Sequence, residues 1–271
     1  MSYDPEAFDA FEAAGWASKD ASAYDMLFGR VTTRLVEPLL DVVGAGPGKR
    51  LLDVATGPGY VAERAVDRGA EVVGLDLSEP MLEFARSRVP DAEFVRGDAT
   101  ALPFDEASFD AFTAAFVLLH LGKPERAAAE AARVLRPGGA AAFTVWDVPA
   151  RGRWIGVLLD ALADAGAESV PPGPPFFRFA DDVELARLLS DAGLADVTVQ
   201  TIDFPLRIES AGDLWDGLVE GTVRVRSLVQ AQTDDVQRSI RERFEKLLEE
   251  HRDGNGFEVP VAVKLGSGRK P

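Results

Sequence analysis

Leu51-Leu52-Asp53-Val54-Ala55-Thr56-Gly57-Pro58-Gly59-Tyr60 is the stretch that decides the fold. A short apolar run ends in a turn bearing two glycines and opens directly into helix-forming sequence. Gly57 and Gly59 let a ligand approach the backbone where a side chain would block it. The helix beyond them offers free N–H groups to a carboxylate or a phosphate. Such a strand–turn–helix unit belongs to sheets that bind ligands at the carboxyl ends of their strands.

Outward from this loop the alternation continues. Arg50–Val54, Glu71–Leu75, Glu93–Val95, Phe109–Ala115 and Ala140–Trp146 read as strands. Between them Tyr60–Arg68, Glu79–Arg88 and Pro124–Leu135 read as helices. Gly69 ends the first, Ser78 is placed to cap the second, and Pro137-Gly138-Gly139 stops the third. This rhythm predicts an α/β, Rossmann-like, mostly parallel sheet with helices on both faces and right-handed crossovers. After residue 150 the rhythm changes. Trp154–Ala165 and Asp181–Asp191 read as helices, the second closed at Gly193. Residues 171–175, Pro-Pro-Gly-Pro-Pro, form a stiff connector between them. Val197–Ile208 and Phe257–Leu265 alternate as strands, residues 211–252 read as helical, and the tail Gly266–Pro271 reads as frayed. At the other end Phe8, Phe11 and Trp16 are spaced along one helix face. Val31, Leu35, Leu39 and Leu40 form a clearer one. The expected organisation is a single domain, 1–271. It comprises an N-terminal helical lid (1–46), a ligand-binding core (47–147), and a helical cover with the final two strands (148–271).

Composition narrows the function. The formal net charge is −16, from 45 acidic and 29 basic residues. Nucleic-acid binding needs clustered Lys and Arg, so no nucleic-acid partner is expected. Ala111–Leu121, the longest strongly apolar run, is far too short to span a bilayer. Met1–Asp9 lacks the basic-then-apolar pattern of a secretory signal, which makes the cytoplasm the expected address. The absence of cysteine rules out disulfides, thiolate metal sites and a cysteine nucleophile. No His and carboxylate spacing suggests a metal site.

Asp76 closes the second strand, nineteen residues after Gly57. A carboxylate there can accept both hydrogen bonds of a ribose diol. The loop and this aspartate together point to an adenosine-containing ligand. They do not choose between ligands, because Gly57-Pro58-Gly59-Tyr60-Val61-Ala62 also satisfies the loose dinucleotide fingerprint. Three further features bear on the choice. Asp53, inside the first strand, would repel a pyrophosphate and attract an ammonium. Arg96-Gly97-Asp98-Ala99 sets a carboxylate where it can accept an adenine amino group. Leu135-Arg136-Pro137-Gly138-Gly139 leads into the fifth strand.

Taken in order, Leu51–Tyr60, Val73–Leu77, Gly97–Phe104, Phe109–Leu121 and Leu135–Gly139 resemble the motifs of class I S-adenosylmethionine-dependent methyltransferases. The resemblance is nearest to the ubiquinone/menaquinone-biosynthesis branch and covers about Arg50 to Asp147. It implies a seven-stranded sheet with the last strand antiparallel, the final pair coming from 197–208 and 257–265. It implies S-adenosylmethionine as cofactor, S-adenosylhomocysteine as product, and a small-molecule acceptor. By the same resemblance Asp53 meets the methionine ammonium, often through water, and Gly57 lies against the methionine portion. Asp76, followed by Leu77, binds the ribose hydroxyls, and Met81 packs on adenine. Asp98 takes the adenine amino group, the Ala99 N–H a ring nitrogen, and Phe116 borders the sulfonium. Ala55 departs from the family, which commonly has glycine there, and alanine is small enough for the ligand still to fit beside Gly59.

His120 follows the fourth strand at the mouth of this site. Its ordinary pKa suits a general base for an acceptor hydroxyl, and it equally suits a packing residue. Trp16, Tyr24, Trp146, Phe176 and Phe177 are candidate acceptor-pocket aromatics, with Phe179 close by. An activated sulfonium methyl needs alignment and water exclusion more than a nucleophilic triad. Two rivals stay open from the residues alone. One is a nicotinamide-dependent oxidoreductase, which would need a Tyr and Lys relay that the sequence lacks. The other is a cofactor-binding protein put to another use. Oxygen, nitrogen and carbon acceptors remain equally open, and the oligomeric state has no signature here.

Overall fold

The computed structural model describes residues 3–17, 24–167 and 173–271. Among the described residues seven strands form one sheet in the order β3-β2-β1-β4-β5-β8-β6. They are β1 Arg50–Val54, β2 Glu71–Asp76, β3 Glu93–Arg96, β4 Phe109–Ala115, β5 Leu135–Trp146, β6 Ala195–Ile208 and β8 Gly256–Arg269. A two-residue strand, β7 (Arg252–Asp253), folds back onto β8. The first five are parallel, and β8 runs antiparallel between β5 and β6. The expected seven-stranded sheet with one antiparallel strand is therefore what the chain builds.

Burial on both faces explains the strand sequences. Side chains alternate across a strand, so Leu51 joins the core on one face and Leu52 the core on the other, both fully buried. Each such leucine contributes about 1.5–3 kcal/mol by leaving water. The helices cover both faces: α1 Pro5–Ala17, α2 Val36–Val43, α3 Tyr60–Asp67, α4 Glu79–Arg88, α5 Pro124–Val134, α6 Arg153–Asp164, α7 Asp182–Asp191, α8 Ala211–Gly221, α9 Val223–Gln230 and α10 Asp234–Leu248. A π-helical turn, Asp25–Gly29, precedes α2. Among the described residues no helix is long and apolar enough to cross a membrane.

The chain leaves β1 toward β2 and β3 on one side, then returns to lay β4 and β5 on the other. The carboxyl ends of β1 and β4 thus flank the switch point of the sheet, where open α/β sheets hold their ligands.

Four local expectations need correction. Ser78 stands at the N-cap of α4, yet its hydroxyl donates to the Trp16 carbonyl at 3.0 Å instead of capping the helix. Phe8, Phe11 and Trp16 do not share a buried face: Phe8 is buried, Phe11 is 37% exposed, and the other buried residue of α1 is Glu12. Residues 211–252 break into three helices, with Ser210 and Thr233 accepting cap bonds from Asp213 and Val236. The tail is not frayed. β8 runs to Arg269, the Ser267 hydroxyl meets that of Thr198 at 3.0 Å, and the Lys270 N–H donates to Gly139 at 2.9 Å. Its small residues are there because Leu185 and Leu189 press on Gly266. Pro171 and Pro172 of the expected connector lie outside the described residues. Pro174 accepts a bond from Arg224 at 3.1 Å.

Candidate functional site

A cavity of about 370 Å³ opens at the switch point, within the usual range of about 300–1,000 Å³ for small-molecule sites. The turn after β1 forms its floor. Ala55 and Gly57 both hold left-handed backbone there, at φ 53° each. A Cβ built on Gly57 would meet no atom within 4 Å, so the space in front of it is cleared for a ligand. Gly59 serves the packing instead. It starts α3 at φ 86°, and a Cβ there would come within 3.2 Å of Ala85.

Asp76 ends β2 and locks this turn. Its Oδ2 accepts from the Gly57 N–H and its Oδ1 from the Ser78 N–H, both at 2.9 Å. The Leu77 N–H also acts on this carboxylate, which leaves acceptor capacity for a further donor. Burial pushes its carboxyl above the ordinary value, against the pull of the surrounding backbone N–H donors. Leu77 beside it lines the cavity and is 43% exposed, an apolar surface with nothing yet against it. Met81, Asp98, Ala99 and Phe116 complete that side. The Oδ1 of Asp98 takes the N–H and hydroxyl of Thr100, at 2.7 and 2.8 Å. Phe116 is a bulky residue at φ 57°, an unusual conformation that is tolerated where the surroundings enforce it. Its ring stacks on Trp146 with centroids 3.6 Å apart.

Asp53 does not line the cavity. It is 1% exposed and accepts from the Thr113 hydroxyl at 2.9 Å and the Thr56 hydroxyl at 2.6 Å. Burial pushes its carboxyl up to about 6, the two threonine bonds opposing that shift.

Helix α1 supplies the wall facing the loop, through Asp9, Ala10, Glu12, Ala13 and Trp16. Positions 9, 12, 13 and 16 form one helical face. The aromatic spacing at Phe8 and Phe11 obscured this face in the sequence. Among the bonds that seat the helix are Tyr3 hydroxyl to Gly122 carbonyl, Gly122 N–H to Asp9, and Ser78 hydroxyl to Trp16 carbonyl. Glu12 is only 3% exposed, and its Oε2 accepts from Trp16 Nε1 and lies 3.0 Å from His120 Nδ1. His120 and Tyr24 also border the cavity. Burial pushes the Tyr24 hydroxyl up to about 12.

A side chamber of about 30 Å³ continues past Trp16, Tyr24 and His120, walled by Trp146, Phe176 and Arg224. Phe177 reaches neither space and packs against Phe176, and Phe179 belongs to the core on the opposite face. Sequence reading missed Asp9, Glu12 and Arg224, the last being a guanidinium set over the Phe8 and Phe176 rings.

The electrostatics discriminate between ligands. Among the described residues the main cavity is lined by four carboxylates, Asp9, Glu12, Asp76 and Asp98, and by no Lys or Arg. A pyrophosphate would be repelled from it, whereas a cationic nucleoside would be drawn in.

Comparison with known proteins agrees. A family model described as a methyltransferase domain matches residues 52–143. A demethylmenaquinone methyltransferase of Renibacterium salmoninarum is 37% identical over 190 residues, spanning 66% of this chain and 80% of that one. A ubiquinone/menaquinone biosynthesis C-methyltransferase of Methylobacterium nodulans is 44% identical over 176 residues, spanning 55% and 67%. Among solved structures, a phosphoethanolamine N-methyltransferase of Haemonchus contortus, held with S-adenosylhomocysteine, shares the fold. Its TM-score is 0.53 at 18% identity, over 88% of this chain and 52% of that one. On this evidence the chain belongs to the class I S-adenosylmethionine-dependent methyltransferases, in their ubiquinone/menaquinone branch, and is an enzyme that transfers the methyl group of S-adenosylmethionine to a small-molecule acceptor.

Proposed function

We propose that this enzyme methylates a ring carbon of a planar, phenol-bearing acceptor of the quinol type, in the cytoplasm and without a nucleic-acid partner. The observation that carries the cofactor half of this reading is the charge of the cavity, four carboxylates with no opposing cation among the described residues that line it. The acceptor half draws on the two relatives named for quinone precursors, together with an aromatic wall and a histidine on the same side of the cavity.

The residues present suit the cofactor. The cleared space before Gly57 receives the methionine portion, and the ribose diol meets the Asp76 carboxylate. Leu77 and Met81 cover adenine, whose amino group reaches Asp98 and whose ring nitrogen meets the Ala99 N–H. Ala55 lines the floor, and Gly59 acts by fixing the turn. Asp53, bonded to two threonines, acts on the ammonium at one remove, through its field or a bridging water. Phe116, held by Trp146, borders the sulfonium. S-adenosylmethionine bound here supplies an already activated methyl group.

The protein then has two tasks. Trp16, Tyr24 and Phe116 hold the acceptor ring and exclude water. His120 accepts the phenolic proton at Nε2, which raises the electron density of the ring carbon. Once that carbon carries its methyl group, its ring proton leaves to solvent and the phenolate oxygen takes back the proton held on Nε2, so one proton is released per turnover. Residues 1–46 serve as the lid, 47–147 as the cofactor core and 148–271 as the acceptor-side cover.

The test is incubation with methyl-labelled S-adenosylmethionine and demethylmenaquinone reduced to its quinol. Mass spectrometry should place the label on a ring carbon. His120→Ala should lower turnover by about 10²-fold or more. Label on oxygen would overturn the carbon assignment, no label the acceptor class, and unchanged turnover in the variant the base.

A further inference from the structure

We infer that Glu12, on the N-terminal helix, is the positioning residue that fixes the His120 tautomer, so that the base is complete only while α1 is seated. This inference rests on the reading of His120 as the base.

Glu12 is a buried carboxylate on the cavity face of α1. Its Oε2 lies 3.0 Å from both Trp16 Nε1 and His120 Nδ1. An indole N–H can only donate, so Oε2 acts as acceptor. The same oxygen in its ionised form accepts from Nδ1–H, which leaves the lone pair of the imidazole on Nε2. No described residue bonds to Nε2, and His120 borders the cavity. The Trp16 ring stands at 90° to the imidazole, centroids 5.3 Å apart, and limits its rotation.

Among the described residues the second carboxylate oxygen, Oε1, is buried with no hydrogen-bond partner. A buried acceptor left unsatisfied costs about 1–3 kcal/mol, and this helix does not need that oxygen to stay in place. Tyr3, Asp9 and Ser78 already tether it on both sides of the cavity. The carboxylate is placed to face an imidazolium at His120, and the Arg224 guanidinium also lies within its field. When Nε2 takes the acceptor proton, the imidazole carries protons on both nitrogens, and the adjacent Glu12 carboxylate balances the new charge. Glu12 takes up no proton itself. The proton on Nε2 returns to the phenolate oxygen of the methylated product, which resets the base.

The chain has two histidines, which makes the tautomer directly readable. Protein labelled with ¹⁵N-histidine would be examined by NMR at about pH 8, where an ordinary imidazole is neutral. His251→Gln assigns the signals. The wild type should show His120 protonated at Nδ1. Glu12→Gln, whose amide can donate to Nδ1, should shift the population toward Nε2–H. It should also lower kcat for the quinol at least tenfold, with circular dichroism unchanged. A wild-type His120 protonated mainly at Nε2 would overturn the inference even if the variant failed to fold. So would a Glu12→Gln protein with the wild-type tautomer, or with kcat within twofold of wild type. Normal turnover in His120→Ala would remove the base while leaving the tautomer result to decide the part of Glu12.

Discussion

Asp53 shows how one side chain couples stability to ligand charge. Its carboxyl is pushed from 3.8 to about 6 by burial. Below the lower value both folded and unfolded states are protonated. Between the two values the folded state holds the extra proton, so stability falls as pH rises through this window. Above about 6 the full cost, about 3 kcal/mol at 1.36 kcal/mol per unit, is in place. Asp53→Asn should flatten this dependence and stabilise the ligand-free protein at pH 8 in denaturant titrations. A cationic ligand nearby favours the carboxylate, so binding of S-adenosylmethionine at pH 6 should release a fraction of a proton. Calorimetry in buffers of different ionisation enthalpy measures that release. Heats independent of the buffer, or a release that survives in Asp53→Asn, would defeat the idea. Ala55 carries the opposite lesson. Left-handed backbone costs an alanine about 1 kcal/mol, roughly what glycine loses in chain entropy. Ala55→Gly should therefore leave the melting temperature within about 2 °C, whereas Ala65→Gly inside α3 should lower it by more. A larger loss at residue 55 would contradict the strain.

At the scale of elements, the strand–helix alternation from 50 to 147 was legible because each piece carries its own period and punctuation. The end of β8 was not. Gly266, Ser267 and Gly268 look like a loose tail in isolation, and only the helix across from them explains their size. Gly266→Val would drive a side chain toward Leu185 Cγ, which lies 2.9 Å from the position of a Cβ. Overpacking of this kind costs about 1–3 kcal/mol, so the melting temperature should drop by at least about 2 °C. A truly frayed tail would leave it unchanged. The same blindness to partners hid Glu12. A glutamate on an amphipathic helix reads as solvent-facing until the histidine 108 residues away is brought beside it. Asp76 and Gly57, by contrast, were readable because their tie spans a single strand–helix–strand unit.

Across the whole molecule, the sheet builds the cavity floor and the N-terminal segment closes it. The two parts differ in what holds them. The central strands β1, β4 and β5 are largely buried, while α1 contributes one buried apolar side chain, Phe8, and is seated mainly by polar bonds. Deleting residues 1–17 should therefore preserve the far-ultraviolet dichroism while lowering turnover by about 10²-fold or more through lost water exclusion and a lost partner for His120. Loss of the folded spectrum would show that the helix belongs to the core, and turnover within a few-fold of wild type would show that it is dispensable for catalysis. The antiparallel course of β8 has its own outcome for anyone handling the protein. Arg269 pairs with Ala140 and Val263 with Trp146, so the strand runs from the catalytic pole to the opposite one, about 20 Å over six residues. A purification tag or immobilising linker grafted onto Pro271 would hang from that distal pole, clear of incoming reactants, whereas the same graft ahead of Pro5 would crowd their doorway.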